Sequence, residues 1–478
     1  MDFDVIVAGA GPTGLMAAAE LALGGARPVV FERLAARSQL SRAGGVTPRT
    51  AELFDQRGLL EPLLATGDYP EVRVGQFAGL PVDFGRWPSR HPGYFVTQAT
   101  IETFLEHHLA GLDVPVLWGH PVVDVLADAD GVTVVVDGPR RHRARYLVAA
   151  DGARSTVRKA LNIDFPGRPG TCTAVISDVV LTGASATVVG HAASEHGHWA
   201  LQFPLEDGLR RLVLGGPGSP PACDRDTPVT EKELRRGIEA VYGGEVELVE
   251  LRRAVRIDDA ARQLARYRHG PVFFAGDAAH IHLPLGGQGM NLGIGDAVNL
   301  GWKLAASVRG WAPPGLLDSY QHERHPVGAG VLANTRAQSL LMDWPGTANP
   351  DRGPLRALIG ELLTLPDTGR ALAGMMTGLD IRYPLGGDDP LVGMRMPDLD
   401  LVVDGRPTRV AELLRTGRGL LLHPEPRADL PGAPDRVNRV DRAQAPTELT
   451  LVRPDGHVCW AHGPGTVERA LKTWFGRA

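Results

Sequence analysis

The chain has 478 residues, 43% hydrophobic and 22% charged, enough to bury a large core in two or three domains. Its net charge of −5, with acids and arginines intermixed and no basic block, leaves no footprint for nucleic acid or an anionic membrane and suits a small neutral or anionic ligand. The three cysteines, Cys172, Cys223 and Cys459, form no CxxC and support neither a disulfide framework nor a metal site, a pattern expected of the cytoplasm, and no apolar run nears the roughly 18 residues of a membrane span.

In chain order, the pattern predicts a strand from Phe3 to Ala8, a glycine turn from Gly9 to Gly14, a helix from Leu15 to Leu23 and a strand from Pro28 to Glu32. This βαβ unit implies a parallel, doubly wound sheet. Arg49 to Leu64 reads as helical, Val72 to Phe95 as strands of another layer, and Ile101 to Leu109 as helix. An antiparallel meander follows, with strands Val122 to Leu126, Val132 to Val136 and Arg145 to Ala149 and turns at Asp128-Ala129-Asp130-Gly131 and Gly138-Pro139. Ala174 to Leu181, Trp199 to Pro204 and Arg211 to Leu214 read as strands of an inserted β-rich domain, with a helix from Glu231 to Tyr242. Pro271 to Ala275 returns to the first sheet, ahead of helices from Asn291 to Gly310 and from Leu316 to Leu341. Trp344 to Pro354 reads as a connector, and after Pro384 comes a small α/β domain whose last helix ends at Phe475.

The fold class expected is therefore α/β: a Rossmann-like first domain over residues 1–175, to which 72–97 is an exception as part of the second, β-rich domain over 176–260. Residues 261–345 complete the first domain, and 385–478 form the third.

Gly9, Gly11 and Gly14 make a GxGxxG between strand and helix, the context that motif requires. The first glycine permits the tight turn, the second lets a pyrophosphate approach the backbone, and the third lets helix and strand pack closely. Pro12 and Thr13 open the helix, whose free amides face the phosphates. Glu32 ends the second strand, where an acid accepts from an unphosphorylated ribose diol.

A second segment, Gly276-Asp277-Ala278-Ala279-His280, follows the Pro271 to Ala275 strand. Pro284, Gly287, Gly289, Met290 and Asn291 lie beyond it at the opening of a helix. Asp277 can accept from a ribityl hydroxyl, and the helix amides stabilise negative charge at a flavin N1–O2 edge. His280 reads as a packed core histidine. The third piece is Asp151-Gly152-Ala153-Arg154-Ser155, which read alone is an N-cap Asp and an early-turn Arg. Together the three imply non-covalently bound FAD.

GAGPTG at 9–14, DGARS at 151–155 and GDAAHIHLPLGGQGMN at 276–291 resemble the class A flavoprotein monooxygenases, the para-hydroxybenzoate hydroxylase group, over about the first 340 residues. Ser41-Arg42, Phe54-Asp55-Gln56-Arg57-Gly58, Asp318-Ser319-Tyr320 with Glu323-Arg324, Arg395-Met396-Pro397 and Arg453-Pro454-Asp455-Gly456-His457 look like the actinobacterial aromatic polyketide hydroxylases, with rifampicin monooxygenase as a near relative. The resemblance implies a thioredoxin-like C-terminal domain without redox cysteines. It also implies FAD contacts from Arg42 and Gln98, with Arg33 near the adenosine and Val123 beside the adenine end. Ala43-Gly44 departs from the family pattern after the Ser-Arg pair.

The chemistry so implied is flavin reduction by a transiently bound NAD(P)H, capture of O2 as the C4a-hydroperoxide and oxygen transfer to a polycyclic phenol; the sequence carries no second dinucleotide fingerprint. Phe77, Phe84, Trp87, Trp199, Gln202 and Phe203 are candidate substrate walls, each with core packing as the alternative. No general base stands out; His198 is a guess. A Baeyer–Villiger or antibiotic-inactivating monooxygenase and a non-catalytic polyketide-binding flavoprotein are the alternatives, as a monomer or homodimer. A halogenase is disfavoured because WxWxIP is missing around Trp199.

Overall fold

The computed structural model describes residues 3–38, 42–138, 140–342, 352–387, 389–403, 405–423, 434–441, 449–461 and 466–476. Ser41, Pro139 and most of the expected 344–354 connector lie outside these residues.

A six-stranded sheet forms the first layer, in the order Arg268–His269, Val272–Phe274, Tyr146–Ala149, Val5–Ala8, Pro28–Glu32 and Val116–Trp118. All neighbours are parallel except the first pair. Its central strands are buried on both faces and read as continuous apolar runs, as parallel strands covered by helices must. The first strand is shorter than expected, Val5–Ala8, and the first helix starts earlier, Pro12–Leu23, because Pro12 at the opening position lacks only an N–H that would have no helical partner.

The expected meander needs a correction. Its third strand is Arg140–Ala144, while Tyr146–Ala149 leaves it and enters the parallel sheet between Val5–Ala8 and Val272–Phe274. Period-two alternation cannot separate two strands joined by one residue. The 49–64 helix is also two helices, Pro48–Asp55 and Leu60–Leu64, divided where Gly58 adopts a left-handed φ of 67°.

The second layer is a five-stranded antiparallel sheet, in the order Gly190–Ala193, Trp199–Pro204, Arg210–Gly215, Thr173–Thr182 and Glu247–Asp258. The Glu231–Tyr242 helix covers one face through Leu234 and Ile238. The other face is continued by a hairpin, Val74–Phe77 and Leu80–Asp83, whose turn residues Ala78 and Gly79 both have positive φ. That geometry matches the two-residue turns that follow strand twist.

Two helices that the pattern did not foretell, Arg352–Thr364 and Pro366–Thr377, pack beside this hairpin. Pro354 sits in the first turn of its helix, where a missing N–H costs little. The C-terminal thioredoxin-like domain carries a four-stranded sheet, Val437–Asp441, Gly419–His423, Thr450–Val452 and Val458–Trp460, and ends in the helix Val467–Phe475. The three cysteines are free.

This domain docks on the first through buried charges. Arg453 donates two bonds of 2.7 Å to Glu323, and Lys303 donates to the same carboxylate at 2.8 Å. Asp455 accepts from Arg453 Nε at 3.1 Å and from Asn299, so two acids face two cations. Burial pushes the Lys303 ammonium down to about 8, against the pull of Glu323. Pairing with complementary charge is what makes such burial tolerable.

Candidate functional site

The three glycine-rich pieces converge. Gly9 has φ 104°, and a Cβ there would lie 2.4 Å from the Ala150 carbonyl; a Cβ on Gly14 would lie 2.0 Å from the Gly9 carbonyl. Both are required by close backbone approach within the protein. Gly11 differs, since a Cβ on it would meet no protein atom within 4 Å, and it lines a large cavity. Thr13 wedges between the first and second segments, its Oγ1 lying where a Cβ on Gly276 or Gly293 would fall.

That cavity, of about 1370 Å³, runs from the glycine turn past Asp151 and Asp277 to the antiparallel sheet. Two helices open on it without a side-chain cap: Pro12–Leu23, capped by Gly11, and Gln288–Val308, capped by Gly287 in a left-handed conformation. Four other helices are capped by hydroxyls of Thr97, Ser155, Thr230 and Thr466, while those starting at Pro48, Leu60, Ser319 and Pro366 also lack a side-chain cap but do not start at a glycine. The glycine caps leave first-turn amides open to the cavity, a positive end suited to phosphate or to a developing anion.

Asp277 is exposed to this space, and among the described residues its carboxylate has no hydrogen-bond partner, though the Arg42 guanidinium is near enough to attract it. Asp151 is held by the amides of Thr156 at 2.7 Å and Val157 at 3.1 Å, both on Oδ2, while its buried Oδ1 is left without a partner. Burial pushes its carboxyl up. The N-cap of that helix is Ser155, which accepts from Arg158, so the expected N-cap role of Asp151 is corrected. Arg154 forms an exposed double contact with Asp226. Glu32 accepts from Ala10 at 2.8 Å and Leu34 at 3.0 Å, which fixes its carboxylate at the end of the second strand and leaves lone pairs over. Arg33 lines the cavity.

The 42–45 loop is pinned from two sides. The Gln98 side chain accepts from the amides of Arg42 and Ala43, and Arg211, paired with Asp178, donates to the Arg42 carbonyl at 3.1 Å. Arg42 and Gln98 both line the cavity. Pro284, Gly287, Gly289 and Met290 do so too, as do Pro12 and Gly152.

Five expected cofactor residues do not line this cavity: Gly9 and Gly14 are packed against backbone, Glu32 is held by the Ala10 and Leu34 amides, and Asn291 and Val123 lie elsewhere. Asn291 is buried with its amide committed to Thr47, Gly45 and Gly287, clamping the 45–47 loop to the helix start. Val123 is about half exposed, at 48%, beside a bulge in its strand and away from the cavity. His280 is a buried partner of Asp296 at 2.7 Å, the core histidine expected.

Of the substrate-wall candidates, Phe84, Trp199 and Phe203 line the cavity. Gln202 does not: it alternates to the opposite face of its strand, where it bonds the Ala186 carbonyl and the Tyr242 hydroxyl. Phe77 is buried in the core, and Trp87 is packed under Gly374 and Arg370. His198 lies in the turn before the Trp199–Pro204 strand and does not reach the cavity. Sequence reasoning missed Leu201, which the alternation Trp199, Leu201, Phe203 would have found. It also missed Gln76 and His282, for which no local pattern exists. His282 donates from Nδ1 to Leu283 and has a buried, unpartnered Nε2; burial pushes its imidazole down.

A glycine-turn helix start, a second glycine-capped helix start and unpaired acceptors on Asp277 and Asp151, all on one cavity, fit a flavin dinucleotide. The chain belongs to the FAD-binding-domain family of flavin-dependent monooxygenases, whose model matches residues 2–335, and residues 389–478 match the aromatic-ring hydroxylase C-terminal domain. It is 45% identical over 506 residues to the anhydrotetracycline monooxygenase of Streptomyces rimosus, covering 100% of this chain and 99% of that one. It is 42% identical over 490 residues to the rifampicin monooxygenase of Streptomyces venezuelae, again covering 100% and 99%. Among solved structures, CabE, an aromatic hydroxylase from angucycline biosynthesis, superposes with a TM-score of 0.90 at 41% identity over 100% of both chains. The enzyme is thus a flavin-dependent monooxygenase using FAD, NAD(P)H and O2. Among the described residues, no helix is long and apolar enough to cross a membrane.

Proposed function

We propose that this enzyme hydroxylates an aromatic polyketide or a similar polycyclic phenol in the cytoplasm, acting as a monomer or homodimer. The observation that carries this reading is the single cavity joining the glycine turn to an apolar wall. Its volume of about 1370 Å³ exceeds the roughly 300–1,000 Å³ of a single small-molecule site, as a cofactor with a multi-ring substrate requires. Trp199, Leu201 and Phe203 offer a broad apolar face to the substrate and exclude water from it. The similarity to monooxygenases named for anhydrotetracycline and rifampicin supports the same class of substrate.

In this reading Gly11 lets the pyrophosphate approach, Glu32 and Arg33 face the adenosine end, and Asp277 accepts from the ribityl chain. Arg42, Gln98, Asp151 and Gly152 line the middle of the cofactor path. Bound FAD supplies the reduction by NAD(P)H and the activation of O2. The amides at Gly289 and Met290, at the open end of their helix, stabilise the negative charge that reduction brings. Pro284 and Gly287 shape the wall between cofactor and substrate.

The test is NAD(P)H consumption by the purified holoenzyme across a panel of polycyclic phenols and naphthoquinones, followed by product NMR. Stimulated consumption with one oxygen added to an aromatic carbon supports the reading. If no compound stimulates oxidation and no product forms, the reading fails; ring insertion beside a ketone would replace hydroxylation by Baeyer–Villiger chemistry.

A further inference from the structure

The substrate end of the cavity is apolar, with Phe84, Ile176, Trp199, Leu201, Phe203 and Val213 around it. Into this wall the 74–83 hairpin brings one amide. Gln76 is 8% exposed and lines the cavity. Its Oε1 accepts from the Gly79 amide at 2.5 Å, which fixes which end of the side chain is which. The Nε2 group therefore presents its two N–H donors away from the turn, and it has no partner among the described residues.

The hairpin is not free to turn this group elsewhere. Ala78, at φ 52°, donates its amide to Gln338 at 3.1 Å, and its carbonyl accepts from Arg356. The strand also packs against Leu285–Gly287, the segment that leads into the glycine-capped helix. A donor pair fixed in an apolar pocket is costly once a ligand displaces water from it, unless that ligand supplies the acceptor. Arg211 offers no substitute donor of this kind, because its guanidinium is engaged by Asp178 and the Arg42 carbonyl.

We propose that Gln76 is a specificity-determining residue whose Nε2 donates to a ring carbonyl oxygen of the polycyclic substrate, holding the ring system between Trp199 and the Leu285–Gly287 segment. The inference rests on the polycyclic-aromatic reading above. A site built to hydrogen-bond one substrate oxygen discriminates strongly against analogues that lack it, because the donor is then left unpaired.

The test uses FAD-loaded full-length enzyme and two probes of the same three-ring outline, 1-hydroxyanthraquinone and 1-anthrol, which lacks the quinone carbonyls. Binding is followed by perturbation of the flavin absorbance at pH 8, with FAD content measured alongside. Gln76→Glu keeps an acceptor for the Gly79 amide and removes the donors; Gln76→Leu removes both. The wild type binds the carbonyl compound more tightly, and each variant weakens that compound about tenfold while leaving 1-anthrol within about twofold. With 1-hydroxyanthraquinone turnover, the loss appears in KM more than in kcat. If Gln76→Leu does not fold, Gln76→Glu decides alone. An unchanged preference in the variants overturns the role of Gln76 and leaves the hydroxylase reading standing. If neither probe nor any other polycyclic phenol binds the wild type, both fall together.

Discussion

Arg324 donates to Asp296 at 2.7 Å, and the other carboxylate oxygen of Asp296 accepts from the Gly276 amide at 3.1 Å, immediately before Asp277. Arg324 is adjacent in sequence to Glu323, the acid that receives Arg453 from the C-terminal domain. The flavin-side segment is thus braced from behind by a buried ion pair. Arg324→Met leaves the buried Asp296 carboxylate without its guanidinium partner, with His280 and the Gly276 amide still bonded to it, and is expected to destabilise the fold by about 3–5 kcal/mol, the usual result of breaking a buried pair. Chemical denaturation of the apoprotein and the holoenzyme checks this; a loss under about 1 kcal/mol would show that the pair does not brace the segment.

Gly11 and Gly14 sit three residues apart and make opposite predictions. A Cβ on Gly14 collides with the Gly9 carbonyl, so Gly14→Ala lowers thermal stability even without cofactor. A Cβ on Gly11 meets only the cavity, so Gly11→Ala folds normally and retains FAD poorly. Melting curves of the apoproteins beside flavin titrations separate the two. Equal melting losses in both variants would contradict this division of labour.

Asp277→Ala is expected to leave a folded protein whose FAD affinity falls roughly tenfold or more, the scale of a lost hydrogen bond to a charged group. Quenching of flavin fluorescence reads the change. Unchanged affinity would remove Asp277 from the cofactor site.

Burial pushes the His457 imidazole down to about 3, despite the nearby Asp455 carboxylate. The ordinary value is 6.5, so between these limits the unfolded chain binds a proton that the folded chain refuses. Stability is full above 6.5 and falls as the pH drops through the window, by at most about 1.4 kcal/mol per unit. His457→Gln should flatten the fall in melting temperature between pH 6.5 and 4. It will not level it, because His282 is pushed down in the same direction. Parallel curves for wild type and variant would assign the acid sensitivity elsewhere.

The parts legible in the sequence were those fixed by local backbone demands. Gly9 and Gly14 could be assigned their roles because a turn of that tightness has few solutions, and the Glu231–Tyr242 helix could be placed by its sharp amphipathic pattern. The substrate wall was harder. Trp87 and Phe77 are as aromatic as Phe84, and only long-range packing under the Pro366–Thr377 helix takes Trp87 out of the cavity. Asn291 stands within the motif, yet its amide is absorbed by a loop some 245 residues away, which no local pattern reveals. Gln202 was avoidable: alternation from Trp199 already put it on the far face.

That alternation carries a consequence for how such an enzyme diversifies. Trp199, Leu201 and Phe203 face the cavity, whereas Ala200 and Gln202 anchor the strand to the Glu231–Tyr242 helix. Selection for a new ring system can rewrite the odd-numbered positions while the even-numbered ones keep the scaffold intact, so a lineage can change its diet without relearning how to fold.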